Sequence, residues 1–192
     1  MLMDRIIKAL TFKRDVYAEV EHDTSFTGTA WTLVAVIAFL SSLGSSALAE
    51  TTTGWIVGSL VGTVITVIGF AVGAWVIAWL GKAMFQAEVS FDEMVRTLGL
   101  AYVWNGVGVL GVLGAFVPFL TCVTTPIVCL AALMGLASWF VATQEALDLD
   151  TGSTLITVII GWVVTFLITA GAGFVLGLLG FAGGSILSGF TG

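Results

Sequence analysis

Residues 55–80 read WIVGSLVGTVITVIGFAVGAWVIAWL, an apolar run without one charged side chain. A hydrocarbon core about 30 Å thick is crossed by about 20 such residues in helical form. Lipid offers the backbone no hydrogen-bond partners, so the run closes its own bonds as an α-helix. Working outward, four further segments have the length and apolarity of a span: 28–49, 97–117, 126–146 and 153–180. The runs 55–80 and 153–180 exceed one crossing and are expected to tilt or project.

Local chemistry supports these boundaries. Residues 50–54, ETTTG, form a tight polar link. Ser90 and Glu93 have the spacing of a capping box, which predicts a helix starting at Ser90 and running into the third span. Pro118 ends that span. Pro126 suits a first helical position, where its missing N–H costs nothing, or else kinks a longer helix that starts near Thr121. Residues 148–153 read as a polar turn.

Composition agrees. The 192 residues are 58 % apolar and 9 % charged, with a mean hydropathy of +1.12. Soluble domains carry roughly 25 % charged residues, so lipid is the solvent for much of this chain. The start resembles a secretory leader, with basic residues, the apolar run 31–40 and the small-residue triplet 47–49. The stretch before the apolar run is too long and too acidic for a simple leader. Segment 28–49 is therefore read as the first span.

All six basic residues, Arg5, Lys8, Lys13, Arg14, Lys82 and Arg96, precede the first span or lie between the second and third. Five crossings place both regions on one side, and basic loops face the cytoplasm. The expected architecture is all-α: a polytopic bundle of five transmembrane helices in the cytoplasmic membrane, N-terminus inside and C-terminus outside. It divides into a cytoplasmic amphipathic segment 1–27, the membrane domain 28–180 and a non-cytoplasmic tail 181–192. Ile6, Leu10, Tyr17 and Val20 share one helical face, opposite Asp4, Lys8, Asp15 and Glu19. This pattern is expected of a helix lying in the membrane interface or packing under its own bundle.

Catalytic chemistry is hard to find. No carboxylate, Lys, Arg or His lies in the middle of a span, where a charge costs at least about 2.5 kcal/mol and marks pumps and ion-coupled carriers. Cys122 and Cys129 match no redox or zinc spacing. His22, the single histidine, sits between Glu21 and Asp23 before the first span. Neither a metal nor a cofactor is expected, nor an enzyme, nor nucleic-acid binding. Four-residue glycine intervals at Gly58 and Gly62, Gly69 and Gly73, and Gly173 and Gly177 predict close helix packing, and Gly106, Gly108, Gly111 and Gly114 crowd the third span. Asn105 is expected to hydrogen-bond a neighbouring helix. Trp31, Trp55 and Trp79 suit the headgroup belt.

Three stretches resemble the bacterial branch of the Yip (Ypt-interacting protein) domain family. They are 17–23, YAEVEHD; 91–101, FDEMVRTLGLA; and 139–152, WFVATQEALDLDTG. The resemblance covers about residues 10–180. Family members often carry a proline shortly after the second stretch; here Tyr102 to Gly106 read YVWNG. The resemblance implies a five-helix membrane protein and brings no catalytic residues. The GTPase link of eukaryotic members runs through a long cytosolic region, for which this chain has only residues 1–27.

Three functions fit these observations. One is a non-enzymatic membrane scaffold, joined to lipids and to other membrane subunits or copies of itself. The second is an accessory subunit of a larger respiratory or photosynthetic complex. The third is a pore or transporter, for which Thr63, Thr66, Thr165 and Asn105 are the polar candidates within spans. The orientation has a direct check. With Cys122 and Cys129 changed to Ala, a membrane-impermeant maleimide should label Thr52→Cys in intact cells and Ala87→Cys only after the cells are opened. The reverse pattern would invert the topology.

Overall fold

A computed structural model describes residues 2–49 and 51–178. The described residues form helices joined by short links. Two short helices come first, α1 (Leu2–Leu10) and α2 (Arg14–His22), followed by α3 (Thr27–Ser45) and α4 (Thr52–Phe85). Then come α5 (Phe91–Ala101), a 3-10 stretch (Tyr102–Leu110), α6 (Gly111–Phe116), α7 (Thr121–Leu147) and α8 (Thr151–Leu178). Among the described residues four helical segments are long and apolar enough to cross a membrane: Thr24–Ser45, Thr52–Phe85, Phe91–Phe116 and Pro118–Leu147. Thr151–Leu167 is a shorter apolar helix.

The helix ends follow local chemistry. Thr51 caps α4 through the Gly54 N–H. At α5 the Glu93 N–H donates to Ser90 Oγ and the Ser90 N–H to Glu93 Oε2, completing the capping box. Asp150 accepts from the Gly152 and Ser153 N–H groups at the start of α8. Pro126 lies inside α7, which begins at Thr121, so the longer helix is the one that forms.

The N-terminal segment is two helices, not one. Phe12 takes a positive φ of 57°, which ends α1 and turns the chain into α2. Tyr17 and Val20 are 0 % exposed and belong to the main core with Met94, Leu98 and Trp139, while Ile6 and Leu10 pack at its edge. Their apolar face is turned into the protein, because the turn at Phe12 folds α2 onto α5 and α7.

The third span also departs from a uniform α-helix. Nine residues, Tyr102–Leu110, run as 3-10 helix, where stretches beyond three or four residues are uncommon. Tight packing accompanies it. Along α3, Ala30, Val34, Ile37, Ser41 and Gly44 form one helical stripe. A Cβ at Gly99 would stand 3.1 Å from Ala30 Cβ, one at Gly106 2.9 Å from Ile37 Cδ1, and one at Gly108 2.6 Å from Ser41 Oγ. A Cβ at Gly44 would fall on the Gly108 carbonyl, and one at Gly111 would stand 2.7 Å from the Gly44 carbonyl oxygen. Here backbone meets backbone, and only glycine fits on either side.

Gly44→Ala should therefore lower stability by about 1–3 kcal/mol, the cost of overpacking. Gly28→Ala, with nothing within 4 Å of its added methyl, should lose nothing and can gain helix propensity. Denaturant titration of the purified protein in mild detergent compares the two. Equal stability would disprove the close-approach reading.

Candidate functional site

Two places concentrate polar chemistry: a charged cap at one end of the bundle and a cavity inside it.

The cap is organised by Arg96, one turn into α5 and only 4 % exposed. Its Nε donates to the carbonyls of Val20 and Glu21, both at 3.0 Å. Nη2 donates to the Glu21 carbonyl as well, and Nη1 to Thr27 Oγ1 at 3.1 Å. Those carbonyls belong to the last turn of α2, where the final C=O groups of a helix lack intrahelical donors. The guanidinium supplies the donors, and its charge meets the negative end of the helix dipole. Tyr17 Oη and Ser138 Oγ are 2.7 Å apart in the core below, tying α2 to α7.

Outside this centre the cap carries ion pairs. Arg5 bridges Glu19 at 2.7 Å and Asp23 at 2.8 Å, and its guanidinium lies 5.0 Å from the centre of the Phe26 ring. Arg14 reaches Glu145 at 3.3 Å. Exposed pairs of this kind contribute about 0–1 kcal/mol each. Hydrogen bonds from Ser25 and then Arg5 hold the Asp23 carboxyl below the usual carboxylate range. Burial pushes the Glu21 carboxyl up. His22 Nδ1 lies 3.0 Å from the Ala18 carbonyl. Among the described residues no group of three or more His, Cys, Asp or Glu side chains could hold a metal ion.

The cavity, about 140 Å³, lies between α4, the 3-10 stretch, α7 and α8. Its lining includes Thr66, Phe70, Tyr102, Asn105, Trp139 and Thr165. All of these lie within the apolar helical segments of the bundle. The 3-10 geometry eclipses residues three apart, which stacks Asn105 over Tyr102. Asn105 Nδ2 donates to the Tyr102 carbonyl at 3.3 Å, and among the described residues this is its one hydrogen bond. The Phe70, Tyr102 and Trp139 rings stand 5.5–6.5 Å apart as mutually tilted walls.

The structure separates the residues singled out from sequence. Gly58 and Gly62 lie at the α3–α4 crossing, where added Cβ atoms would meet Ser46 and Ser42 oxygens at 3.2 and 3.0 Å. A Cβ at Gly73 would stand 2.7 Å from Thr165 Oγ1 of α8, and Gly69 lines the cavity. Gly173 and Gly177 lie outside the described side chains. Thr63 donates within α4 to the Ser59 carbonyl. Thr66, Asn105 and Thr165 come together in the cavity. Sequence reading missed the role of Arg96; its signal was a cation on a helix that continues directly into a span.

The family model described as the Yip1 domain matches residues 7–187. No curated protein and no solved structure matches the chain.

Arg96→Met keeps length and removes every side-chain donor, leaving the Glu21 carbonyl without the guanidinium at a cost of about 1–3 kcal/mol and the Val20 carbonyl with the Asp23 N–H alone. Limited proteolysis should cut residues 11–13 several-fold faster in this variant, while Arg5→Met should change the rate little. Unchanged cleavage in Arg96→Met would show that the guanidinium does not hold the segment.

Proposed function

We propose, from the premise that this chain belongs to the Yip1 domain family, that it is a non-enzymatic organiser of the cytoplasmic membrane, working through helix–helix contacts and its cytoplasmic loops. In this reading α8 completes a fifth crossing, with the N-terminus inside and the C-terminus outside. Membrane lipids and other membrane subunits, or further copies of the chain, are its partners.

The observation that carries the reading is the joining of the chain's charged segments into one cap. α1 and α2 pack on α5, and α2 also packs on α7. The segments Asp4–Asp23, Lys82–Arg96 and Glu145–Asp150 hold six basic and eleven acidic residues, a net of −5. The bases Arg5, Lys8 and Arg14 are engaged in ion pairs, and Arg96 in the α2 carbonyls. Asp4 and Asp15 keep side-chain exposures of 64 % and 65 %. Such a surface repels anionic headgroups and suits a protein with a basic face.

The test is extraction in mild detergent followed by native mass spectrometry. The expected result is a reproducible assembly that Asp4→Lys/Asp15→Lys disrupts. Raising salt from about 0.1 M to about 1 M, which shortens the Debye length from about 10 Å to about 3 Å, should disrupt it too. A monomer at low salt would overturn the organiser reading. Fixed stoichiometry with respiratory or photosynthetic subunits would replace it with the accessory-subunit reading.

A further inference from the structure

The cavity inside the bundle has more polar chemistry than packing requires. Residues with donor side chains line it, among them Thr66, with its hydroxyl, Tyr102, with its phenol, and Asn105, with its amide. Among the described residues neither hydroxyl has a hydrogen-bond partner, and Asn105 uses one N–H, toward the Tyr102 carbonyl. These half-buried polar residues converge on one space, a feature of a binding site.

The lining identifies the occupant's chemistry. It contains no charged side chain, and an ion inside an apolar bundle without a counter-charge is disfavoured. The lining therefore favours an uncharged head over an ionic headgroup. The donors call for acceptor oxygens. A cavity of about 150 Å³ accommodates one benzene ring, and this one measures about 140 Å³. Three aromatic rings, Phe70, Tyr102 and Trp139, form walls against which a flat ring can stack.

A route for a tail adjoins it. An apolar groove of about 290 Å³ runs between α7 and α8, lined by Leu133, Phe140, Ile159 and Trp162 among others. Leu136 lines both spaces. From these observations we infer that the bundle binds a neutral, ring-headed amphiphile of the quinone class. Its ring lies in the cavity with carbonyl oxygens toward Thr66, Tyr102 and Asn105, and its apolar tail lies along the α7–α8 groove.

The probe is a benzoquinone carrying a ten-carbon tail, titrated into the full-length protein in detergent, with tryptophan fluorescence quenching as readout. Thr66→Val and Tyr102→Phe remove only the hydroxyls. Ala132→Phe fills the mouth of the cavity from an exposed position. Wild type should quench saturably. Thr66→Val and Tyr102→Phe should each weaken binding by about 3- to 10-fold, as expected for one lost hydrogen bond. Ala132→Phe should weaken it by more than about 10-fold. Circular dichroism melting should match wild type in all three, since none removes a protein–protein hydrogen bond. Decan-1-ol should fail to displace the quinone. Linear quenching that is the same in every variant, or displacement by decan-1-ol at equal concentration, would overturn the inference.

Discussion

The approach of α3 to the third span, with Gly44 against Gly108 and Gly111, is the contact on which the interior depends. It brings backbone to backbone, a distance no side chain permits. Lipid gives helices no hydrophobic reason to associate, so packing of this kind supplies the attraction. The third span meets α3 as a 3-10 helix over Tyr102–Leu110. The 3-10 form rises about 2.0 Å per residue against about 1.5 Å in an α-helix. It also places side chains in rows three apart. Glycines of this segment face α3, and Tyr102 with Asn105 faces α4, α7 and α8. One irregular segment thus both tightens one side of the bundle and opens a polar cavity on the other.

The cap obeys a different constraint. A short helix such as α2 cannot be stable alone, and its last carbonyls need donors. Arg96 meets both needs, because a buried guanidinium offers a planar fan of donors where two carbonyls converge. The surrounding ion pairs are exposed and contribute little individually. The position of the N-terminal segment rests on Arg96, the Tyr17–Ser138 hydrogen bond and burial of Val16, Tyr17 and Val20.

The two polar regions differ in what they can recognise. The cap presents surplus carboxylates to water, where charge steers partners at long range. The cavity presents uncharged donors to lipid, where recognition is by shape and short hydrogen bonds. A membrane organiser with an apolar ligand would use both, and α7 joins cap to cavity, carrying Ser138 and Trp139 side by side.

The amino-acid sequence alone determined the all-α membrane architecture, the approximate helix boundaries, the capping box at Ser90 and Glu93 and the Yip resemblance. Each of these follows from local composition or short-range spacing, which lipid enforces residue by residue. Tertiary structure decided the rest. Whether Ile6, Leu10, Tyr17 and Val20 meet lipid or protein depended on the turn at Phe12. Hydropathy is the same for a 3-10 and an α-helical run, so the tighter winding at Tyr102–Leu110 left no mark beyond its cluster of glycines. Thr66, Asn105 and Thr165 read as isolated polar residues on separate helices. Only the packing of four helices around one space makes them neighbours, because their shared site is built from contacts between residues far apart in the chain.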